Sequence, residues 1–498
     1  MQKFDGHPSN VEGLTCPLHC FTLSPCSRVL GVAAPKHSVV QIILSDKLNR
    51  ETRVETPPQC VRIYQSGPLS GTILPPSSKY HTLRCILAAV LAEGVSKVYY
   101  PADSDDTDVL LRACALLGAT MQSEYQPGGR RVLTIWGTGG LIKTSPRAVL
   151  DVGNAGAVLR LLLGICALSP EVITFITPYS QSLGRRPNAD LLQALAQLGA
   201  TVESQTAAGL LPITIQRGHL HGGKVQISGG TSSQYISALL FLGPLLEEGL
   251  EIEITGELTS ASFIDLTIQI LEEAGITVIT RQRYQHYVVP GMQRYQPREY
   301  TIPGDYPSAA ALIAAVAIAG GEVTLHNLLP GEADGENILA VFAKMGVHVT
   351  RAGNSITVQR QEALDGINCD GNKSIDSVPV IVAAACFADS PSRIYNVANL
   401  RLKESNRIDD LAAELNKAGC NVFPAADAIE IHPVGQPAIS GGADLDAHAD
   451  HRLVEAFAVI GLKSRHPVTI SNAYHIAKSY PHFFDDLAKL GAKIERPV

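Results

Sequence analysis

The segment ADLLQALAQLGATV, residues 189–202, combines a helix pattern, a glycine and the start of a strand pattern. Leu191, Leu195 and Leu198 recur at helical spacing and predict one apolar face of an amphipathic helix. Gly199 suits the end of that helix, because glycine adopts the left-handed conformation without steric cost. The segment therefore predicts a helix, a terminating glycine and then a strand.

The same pattern recurs along the chain. Its six glycines are separated by 71 to 81 residues: Gly118, Gly199, Gly275, Gly346, Gly419 and Gly491. A single unit of this kind is common, but six at a nearly constant period indicate internal repeats. The units extend from about residue 78 to residue 498 and divide into two halves of three. We place the boundary near Tyr300–Tyr306, where Pro303 and Gly304 interrupt the pattern.

Two further segments, 236–246 and 309–319, are apolar on nearly every helical face and are therefore expected to be buried helices. We predict an α/β fold with two similar lobes, each a bundle of buried helices walled by small sheets. A ligand site between two lobes is the usual consequence of such an arrangement.

Composition argues against several classes of protein. The 498 residues carry a formal net charge of −7, which disfavours a nucleic-acid binder held by general electrostatic attraction. The longest apolar runs reach about eleven residues, whereas a membrane-spanning helix needs about 20. We therefore predict small-molecule anionic substrates as the partners, with no nucleic acid and no membrane. Such anions must be bound by locally placed cations.

The ten cysteines include no CxxC pair, so we predict free thiols in a reducing, cytoplasmic location. Cys16, Cys20 and Cys26 lie around His19, but no second ligand pair follows at the spacing of a structural zinc site, and we predict no metal. Residues 1–59 lack a basic segment followed by an apolar core, and we interpret them as an N-terminal extension outside the fold. Their Ser and Thr content leaves a transit segment, and with it a plastid location, as an alternative.

Polar, glycine-rich phrases lie between the repeats. Residues 77–79, 153–156 and 230–234 each precede an apolar helix, whose first N–H groups are free to bind an anion. For residues 153–156 the alternative is an ordinary turn. For residues 230–234 it is a simple N-cap by Ser232 or Ser233. The residues alone leave both interpretations open.

The C-terminal half carries most of the charged candidates. Lys403 and Arg407 are four residues apart, which predicts one helical face with Glu404 adjacent. Arg452 lies at the start of an apolar helix, where an ordinary solvated position is disfavoured. Asp376 precedes the apolar run from 378 to 388.

These motifs, taken in order, resemble the 5-enolpyruvylshikimate-3-phosphate synthase family of enolpyruvyl transferases. The resemblance covers about residues 61–496 and all six repeats. It rests on these phrases: Ser78-Lys79 with Arg84, Asp103-Ser104-Asp105-Asp106, Gly153-Asn154-Ala155-Gly156 with Arg160, Arg186-Pro187, Ser232-Ser233-Gln234, Lys403-Glu404 with Arg407, Asp450-His451-Arg452 and Ala477-Lys478. Several ordered motifs at matching intervals are highly specific.

The resemblance implies the fold in more detail. The family forms a two-lobed inside-out α/β barrel built from six βαβαββ-type repeats, three per lobe. One lobe is then expected to span residues 78–302. The other combines residues 60–77 with residues 303–498.

The resemblance also implies an activity. Members transfer the enolpyruvyl group of phosphoenolpyruvate to the 5-hydroxyl of shikimate 3-phosphate and release phosphate, in chorismate and aromatic amino acid biosynthesis. No cofactor is implied, and we expect a cytoplasmic monomer.

Site residues follow by the same resemblance, and guanidinium groups suit both polyanionic substrates because they bind carboxylate and phosphate in two places at once. The phosphoenolpyruvate site is implied at Lys79, Asn154, Gly156, Arg186, Gln234, Arg407, Arg452 and Lys478. The shikimate 3-phosphate site is implied at Lys79, Tyr80, Arg84, Ser232, Ser233, Gln234, Ser260, Asp376, Asn399 and Lys403.

The family's reaction needs a base for the acceptor hydroxyl and an acid for the methylene carbon. Asp376 is the implied base, with Lys403 sharing that role, and Glu404 is the implied acid. Lys79 completes the implied catalytic set. A proton on Glu404 would require burial or a neighbouring anion.

Three positions depart from the family pattern. Tyr80 stands where the family usually has Ser, Ala157 replaces Thr, and Phe263 lacks the hydroxyl of the usual Tyr. The Tyr80 ring must either swing away or narrow the acceptor pocket. A related transferase acting on another hydroxylated anionic acceptor is therefore one alternative, although Asp376 and Lys403 match the shikimate branch rather than one using a sugar nucleotide. A catalytically silent binding protein is the second alternative, and retention of both acid and base argues against it.

The implied cations come from both halves of the chain and can meet one small anion only if the lobes close. We expect hinges at the two crossings between the lobes, near residues 75–78 and 303–305.

Overall fold

The computed structural model describes residues 59–126, 129–360, 362–434 and 439–497. The expected N-terminal extension, apart from Gln59, lies outside the described residues, and so does the cysteine group around His19. The cysteines within the described ranges are all free thiols. In the same ranges, no helix combines the length and the apolar character needed to cross a bilayer.

Helices alternate with strands along the described chain. The α-helices are Lys79–Leu91 (α1), Asp105–Leu116 (α2), Gly156–Cys166 (α3), Ala189–Gln197 (α4), Ser233–Leu242 (α5), Ser262–Glu273 (α6), Tyr306–Ala319 (α7), Ala333–Lys344 (α8), Val378–Ala385 (α9), Asp409–Lys417 (α10), His451–Gly461 (α11) and Phe483–Lys489 (α12). Short 3₁₀ helices are Leu183–Arg185, Gly243–Leu245, Gly371–Ser377, Ala398–Leu402 and Ala473–Lys478.

The strands are short and fall between these helices. In the first half they are Cys60–Tyr64 (β1), Leu69–Ile73 (β2), Val95–Tyr99 (β3), Thr120–Tyr125 (β4), Arg131–Trp136 (β5), Ala148–Asp151 (β6), Ile173–Ile176 (β7), Thr201–Ser204 (β8), Ile213–Gln216 (β9), Gly223–Ser228 (β10), Leu250–Thr255 (β11), Ile279–Gln282 (β12), His286–Val289 (β13) and Glu299–Thr301 (β14). In the second half they are Gly321–Leu325 (β15), Val347–Ala352 (β16), Ser355–Arg360 (β17), Asn368–Asp370 (β18), Ser392–Tyr395 (β19), Asn421–Pro424 (β20), Ala428–His432 (β21), Asp444–Asp446 (β22), Val468–Ser471 (β23) and Lys493–Glu495 (β24).

The strands of the described chain form six sheets of four. Their orders are β14-β3-β5-β4, β6-β7-β9-β8, β10-β11-β13-β12, β16-β17-β15-β2, β18-β19-β21-β20 and β22-β23-β1-β24. The sheets share one pairing scheme, with one parallel pair and two antiparallel pairs. In the third sheet, for example, β10 runs parallel to β11, whereas β11 and β12 each run antiparallel to β13.

Two hydrophobic cores lie beneath these sheets. One core extends from Leu83 to Ile302. The other joins the segment Val61–Ile73 to residues from Tyr306 to Ala492. The early segment reaches the second core because β1 pairs with β23 and β24, and β2 pairs with β15.

The chain passes between the two cores twice, and the two crossings lie side by side. Ser77 forms a bridge with Gly304. The Ser78 amide donates to the Pro303 carbonyl at 2.7 Å, and the Asp305 amide donates to the Pro76 carbonyl at 2.8 Å. The crossing segments are therefore those where we expected hinges, while the hinge motion itself stays a prediction.

The helix–Gly–strand pattern predicted for residues 189–202 is confirmed. The leucine-bearing helix is α4, its apolar face is buried, and β8 follows at Thr201. All six glycines follow helices and have φ between +79° and +107°: Gly118, Gly199, Gly275, Gly346, Gly419 and Gly491.

The apolar segments form the centre of each core, as expected. Every residue of α7 is buried, and α5 and α9 are buried along their lengths. The expected helix over 236–246 is shorter than predicted, because α5 ends at Leu242 and the 3₁₀ turn Gly243–Leu245 follows.

One local prediction was wrong. Lys403, Glu404 and Arg407 do not share a helical face, because the 3₁₀ helix Ala398–Leu402 ends before them and α10 begins only at Asp409. The intervening segment is irregular. Its charged side chains bind groups that lie far away in the sequence: Asp376, Asp450 and Lys478. These contacts, rather than helical hydrogen bonds, hold the segment in its conformation.

Candidate active site

A narrow pocket with about 460 Å³ of empty space, part of it open to solvent, lies between the two cores, and we call it the central cavity. Residues of the first core form one wall, and residues from the second core form the other. Many of the predicted site residues line it. Its full lining is Arg160, Arg186, Pro187, Thr231, Ser232, Ser233, Gln234, Thr259, Ser260, Phe263, Asp376, Asn399, Leu402 and Lys403.

The first-core wall is rich in neutral hydroxyl and amide groups. Ser232 caps α5 by accepting from the Gln234 amide at 3.3 Å, so the simple N-cap is present and the capped end also faces the cavity. The Gln234 side chain accepts from Arg160 at 2.7 Å. Ser260 lies at a φ of +53°, a strained conformation for a residue other than glycine, and its amide donates to Asn372 of the second core.

Asp376 lies on the opposite wall, in the 3₁₀ helix before α9. Its Oδ1 accepts from Lys403 Nζ at 3.3 Å and from Arg407 Nη1 at 2.8 Å. Its Oδ2 accepts from the Tyr80 hydroxyl, which belongs to α1. Burial alone would raise the pKa of Asp376, but the two cations hold that pKa well below its ordinary value. Asp376 is therefore ionised.

Glu404 is a second buried carboxylate among cations. It accepts from Lys478 Nζ at 2.8 Å and from Arg407 Nη2 at 2.9 Å, and Arg186 lies 3.5 Å away. Burial opposes its charge, yet Lys478, Arg186 and Arg407 hold the pKa of Glu404 well below its ordinary value. Because Arg186 comes from the first core and Lys478 from the second, this one carboxylate joins cations of both.

Arg407 links the two carboxylates. Besides Asp376 and Glu404, its guanidinium binds Asp450 through Nε at 2.7 Å and Nη2 at 3.1 Å. Asp450 also caps α11 by accepting from the Arg452 amide. Arg407 is only 1% exposed and thus balances three carboxylates in a region closed to water.

Several buried polar atoms of the predicted site residues have no hydrogen-bond partner among the described residues. They include Nε and Nη1 of Arg186, Nε and Nη2 of Arg452, and both side-chain atoms of Asn154. Unpaired guanidinium donors are costly in a protein interior unless a ligand satisfies them. The free donors of the two arginines indicate an anion site.

Arg452 lies beside two acidic residues, Glu455 and Asp305. Glu455, three residues further along α11, accepts from Arg452 Nη1 at 3.1 and 3.0 Å, and Asp305 lies 3.8 Å from Nη2. The neighbouring His451 adds no positive charge, because burial and Arg452 lower the pKa of His451 well below its ordinary value.

A glycine allows Arg186 to approach α3. A Cβ atom on Gly156 would lie 2.7 Å from Arg186 Nη1 and 3.1 Å from its Cζ. The guanidinium therefore occupies the volume that any larger residue at position 156 would need.

A second, larger cavity of about 1130 Å³ is lined by Asn154 and Lys478, together with Asp106 and Arg131. Lys478 Nζ also donates to the Asn154 carbonyl at 2.7 Å, a contact between the two cores. Lys79 pairs with Asp106 at 3.2 Å. Of the residues predicted for phosphoenolpyruvate, Arg186 and Gln234 line the central cavity, and Asn154 and Lys478 line this one. The others line neither cavity: Lys79, Gly156, Arg407 and Arg452.

Arg84 is not brought to the central cavity. Its donors bind Thr267 at 2.7 Å, the Tyr80 carbonyl at 3.1 Å and, at 3.4 Å, both Ser237 and the Phe263 carbonyl. The Phe263 ring lies 5.7 Å from the guanidinium carbon. Groups of the protein itself therefore satisfy the hydrogen-bond donors of Arg84, which the resemblance assigns to the shikimate 3-phosphate site.

Tyr80 does not line the central cavity as a free side chain. Its ring stacks on Phe263 with centroids 4.3 Å apart, and its hydroxyl reaches Asp376.

Some residues of the site were missed from the sequence. Glu455 was detectable, because a charged residue three positions after Arg452 in an apolar helix predicts an ion pair. Ser182, which donates to the Glu404 carbonyl at 2.8 Å, and Asn372, which binds Ser260, carry no such signal.

Comparison with known proteins assigns the chain to one family. Residues 63–487 match the family described as EPSP synthase (3-phosphoshikimate 1-carboxyvinyltransferase). A Deinococcus radiodurans protein named 3-phosphoshikimate 1-carboxyvinyltransferase is 39% identical over 436 residues, which cover 87% of this chain and 96% of the relative. A Methanosarcina acetivorans protein of the same name is 37% identical over 432 residues, covering 86% and 97%.

Solved structures agree with the sequence relatives. The EPSP synthase from Acinetobacter baumannii superposes with a TM-score of 0.73 at 25% identity, covering 88% of this chain and 99% of that one. The enolpyruvyl transferase NikO from Streptomyces tendae gives a TM-score of 0.68 at 18% identity, covering 89% and 99%, and this likeness concerns the fold alone.

Proposed function

The chain belongs to the EPSP synthase family, and we propose that it transfers the enolpyruvyl group of phosphoenolpyruvate to the 5-hydroxyl of shikimate 3-phosphate, releasing phosphate. The observation that carries this proposal within the site is the pair of carboxylates, Asp376 and Glu404, joined by the buried Arg407. One base and one acid close together are what this reaction requires.

Phosphoenolpyruvate binds to the cations around Glu404. The unpaired donors of Arg186 and Arg452 take its anionic groups, with Arg407 and Lys478 beside them. Gly156 leaves room for the Arg186 guanidinium. The remaining members of this site are those that the family resemblance implies: Lys79, Asn154 and Gln234.

Shikimate 3-phosphate binds in the central cavity. Ser232, Ser233 and Ser260 offer hydroxyl groups on the first-core wall, and the N-terminal end of α5, which lines the cavity, suits a phosphate. Asn399 and Lys403 face them from the other wall. Tyr80 and Arg84 do not line this cavity, but both contact Phe263, which does.

The chemistry uses the two carboxylates in opposite directions. Asp376, with Lys403 beside it, takes the proton of the 5-hydroxyl as that oxygen forms a bond to C2 of phosphoenolpyruvate. Glu404 gives a proton to the methylene carbon, which becomes a methyl group in a tetrahedral intermediate. Glu404 then takes a proton back from the methyl group. The C2–O bond to phosphate breaks, and phosphate leaves with the electron pair and with the proton held by Asp376.

Substrate binding gives Glu404 the proton that this role needs. In the unliganded protein its charge is stabilised by Lys478, Arg186 and Arg407, which keep its pKa low. A bound phosphoenolpyruvate engages the same cations and adds negative charge, and both changes raise the pKa of a buried carboxyl. Asp376 keeps Lys403 as a near partner and stays ionised.

The site calls for closure of two lobes around both substrates. The two hydrophobic cores support lobes of residues 78–302 and of residues 60–77 with 303–498, and the six four-stranded sheets support three repeats in each, as in an inside-out α/β barrel. The paired crossings at Ser77 and Gly304 are the places where such lobes would hinge. A cytoplasmic monomer stays a prediction.

A direct assay tests the activity. Purified protein given phosphoenolpyruvate and shikimate 3-phosphate, without metal or cofactor, is expected to release phosphate. Asp376→Asn is expected to abolish most of this release, whereas Asp365→Asn, at an exposed position, is expected to preserve it. Release only with another hydroxylated anionic acceptor would identify a related transferase. No release with any acceptor would identify a binding protein.

A further inference from the structure

Tyr80 makes a contact that the family pattern of a serine at this position does not provide. It is the second residue of α1 in the first core, and its hydroxyl donates to Oδ2 of Asp376, which belongs to the second core. A serine side chain is far too short to reach that oxygen.

The tyrosine ring is held firmly in place. It stacks on Phe263 at 4.3 Å between ring centroids, with 30° between the planes. The Lys79 ammonium lies 5.5 Å from the ring centre, and Arg84 donates to the Tyr80 carbonyl at 3.1 Å. Because Phe263 carries no hydroxyl, Tyr80 is the donor of this stacked pair.

The two oxygens of Asp376 have different surroundings. Oδ1 accepts from two cations, Lys403 and Arg407, whereas Oδ2 accepts from the neutral Tyr80 hydroxyl. Arg452 on α11 adds positive charge near both Asp376 and Tyr80, and Asp305 adds negative charge near the Tyr80 phenol. A proton added to Oδ1 would disrupt two charge-assisted hydrogen bonds, which are stronger than bonds between neutral groups. Oδ2 is therefore the oxygen that can accept a proton at lower cost, and it retains acceptor capacity for a substrate hydroxyl.

We infer that Tyr80 is a positioning residue, whose hydroxyl fixes the plane of the Asp376 carboxylate and presents Oδ2 to the acceptor hydroxyl. The inference rests on the proposed function, in which Asp376 is the base. Tyr80 itself is not that base, because burial and the adjacent Asp376 raise the pKa of the Tyr80 phenol well above its ordinary value.

Tyr80→Phe tests this role, because it keeps the ring and its stacking while removing the hydroxyl. We expect kcat to fall about tenfold, the effect of losing one hydrogen bond to a charged group. The KM for phosphoenolpyruvate should be unchanged. The acid limb of the kcat profile should move to higher pH, because donation from Tyr80 favours ionised Asp376.

Two further variants show whether the effect passes through Asp376. In an Asp376→Asn background, Tyr80→Phe should cause no additional loss, since the base has already been removed. Incorporation of 3-fluorotyrosine at position 80 makes the phenol a stronger donor and should move the acid limb to lower pH. Tyr100→Phe is the matched control, because the Tyr100 hydroxyl binds the exposed Gln126, and it should leave kcat unchanged.

The outcomes distinguish the positioning role of Tyr80 from the proposed function. Phosphate release by the wild type, together with an unaltered kcat and pH profile in Tyr80→Phe, would overturn the positioning role alone. An equal loss with and without Asp376 would also overturn it. An inactive wild type would overturn the proposed function, and the role of Tyr80 with it.

Discussion

Asp376 and Glu404 both lie among cations, but the two carboxylates differ in which of the two cores supplies their partners. Glu404 is buried, Asp376 is partly buried, and both bind Arg407. The cations of Asp376 come from its own core, and its contact with the first core is the neutral Tyr80 hydroxyl. Glu404, in contrast, binds cations of both cores, Lys478 and Arg186.

This difference explains how two similar residues can hold opposite proton roles. An anionic substrate bound to Lys478 and Arg186 removes stabilising charge from Glu404, which then gains a proton. Asp376 retains Lys403 and a neutral donor, so it stays ionised. When the surroundings of two carboxyl groups move their pKa values apart, the group with the higher pKa acts as the acid and the other acts as the base.

Arg407→Met should have the largest effect, because it breaks both regions at once. It leaves Asp376, Glu404 and Asp450 without their shared cation. Removal of one partner from a buried ion pair costs about 3–5 kcal/mol, so we expect urea denaturation to show at least that loss. Activity should fall below detection.

Arg283→Met is the matched control for this experiment. Its guanidinium pairs with Asp265 at the surface, so the loss of stability should be below about 1 kcal/mol. Equal destabilisation by both variants would mean that Arg407 does not balance the three carboxylates.

Replacement of the two carboxylates separately should distinguish their roles. Asp376→Asn and Glu404→Gln should each lower kcat by about 10²–10⁴-fold, the usual worth of a general base or acid. The remaining activity of Asp376→Asn should lose the acid limb of the pH profile, because a base must be ionised. That of Glu404→Gln should lose the alkaline limb, because an acid must be protonated.

Steady-state kinetics from the lowest pH at which the enzyme stays folded up to pH 9 would measure these limbs, because the acid limb follows the lowered pKa of Asp376. Asp365→Asn, on the surface, should keep the wild-type profile. Loss of the same limb in both carboxylate variants would contradict the assignment of opposite roles.

Local structure was predictable because it depends on neighbouring residues. The leucine spacing before Gly199 determined α4, and the unbroken apolar run determined α7. The helical face expected for Lys403 and Arg407 was wrong, since long-range ion pairs with Asp376 and Asp450 decide that segment's conformation. Spacing cannot reveal partners that lie far away in the sequence.

The site was predictable to the extent that its motifs are specific. Ser232, Gln234 and Lys403 line one cavity, as their shared assignment implied. The satisfied donors of Arg84 and the reach of Tyr80 to Asp376 were not predictable, because both depend on how α1 packs against α6 and against the second core.

Glu455→Gln should have a smaller effect, exerted through Arg452. Burial raises the pKa of Glu455 to about 7, although Arg452 opposes that rise. As the pH falls through 7, Glu455 gains a proton and holds Arg452 less firmly, so the wild-type KM for phosphoenolpyruvate should rise. The variant should show a KM about fivefold higher at pH 8, for a loss of ~1 kcal/mol, and a flatter pH dependence. If this KM varied with pH in parallel for the wild type and the variant, the result would contradict the role of Glu455 in holding Arg452.

Gly156→Ala should have the smallest effect, and this effect should act on Arg186, which lies beside Glu404. The added methyl group would lie 2.7 Å from Arg186 Nη1, so the guanidinium must move away from α3. Because that atom is the end of a flexible side chain, the shift is inexpensive, and we expect the KM for phosphoenolpyruvate to rise about three- to fivefold, less than ~1 kcal/mol. The KM for shikimate 3-phosphate should hardly change, since Asp376 and the serines of the central cavity stay in place.

The control for this substitution is Gly67→Ala, because a Cβ on Gly67 would meet nothing within 4 Å. Both KM values should then equal those of the wild type. If Gly156→Ala raised the two KM values equally, the methyl group would be disturbing a wall common to both substrates. Arg186 would then belong to the acceptor's surroundings as much as to those of phosphoenolpyruvate, and the separation between the Asp376 and Glu404 regions would be weaker than their contacts indicate.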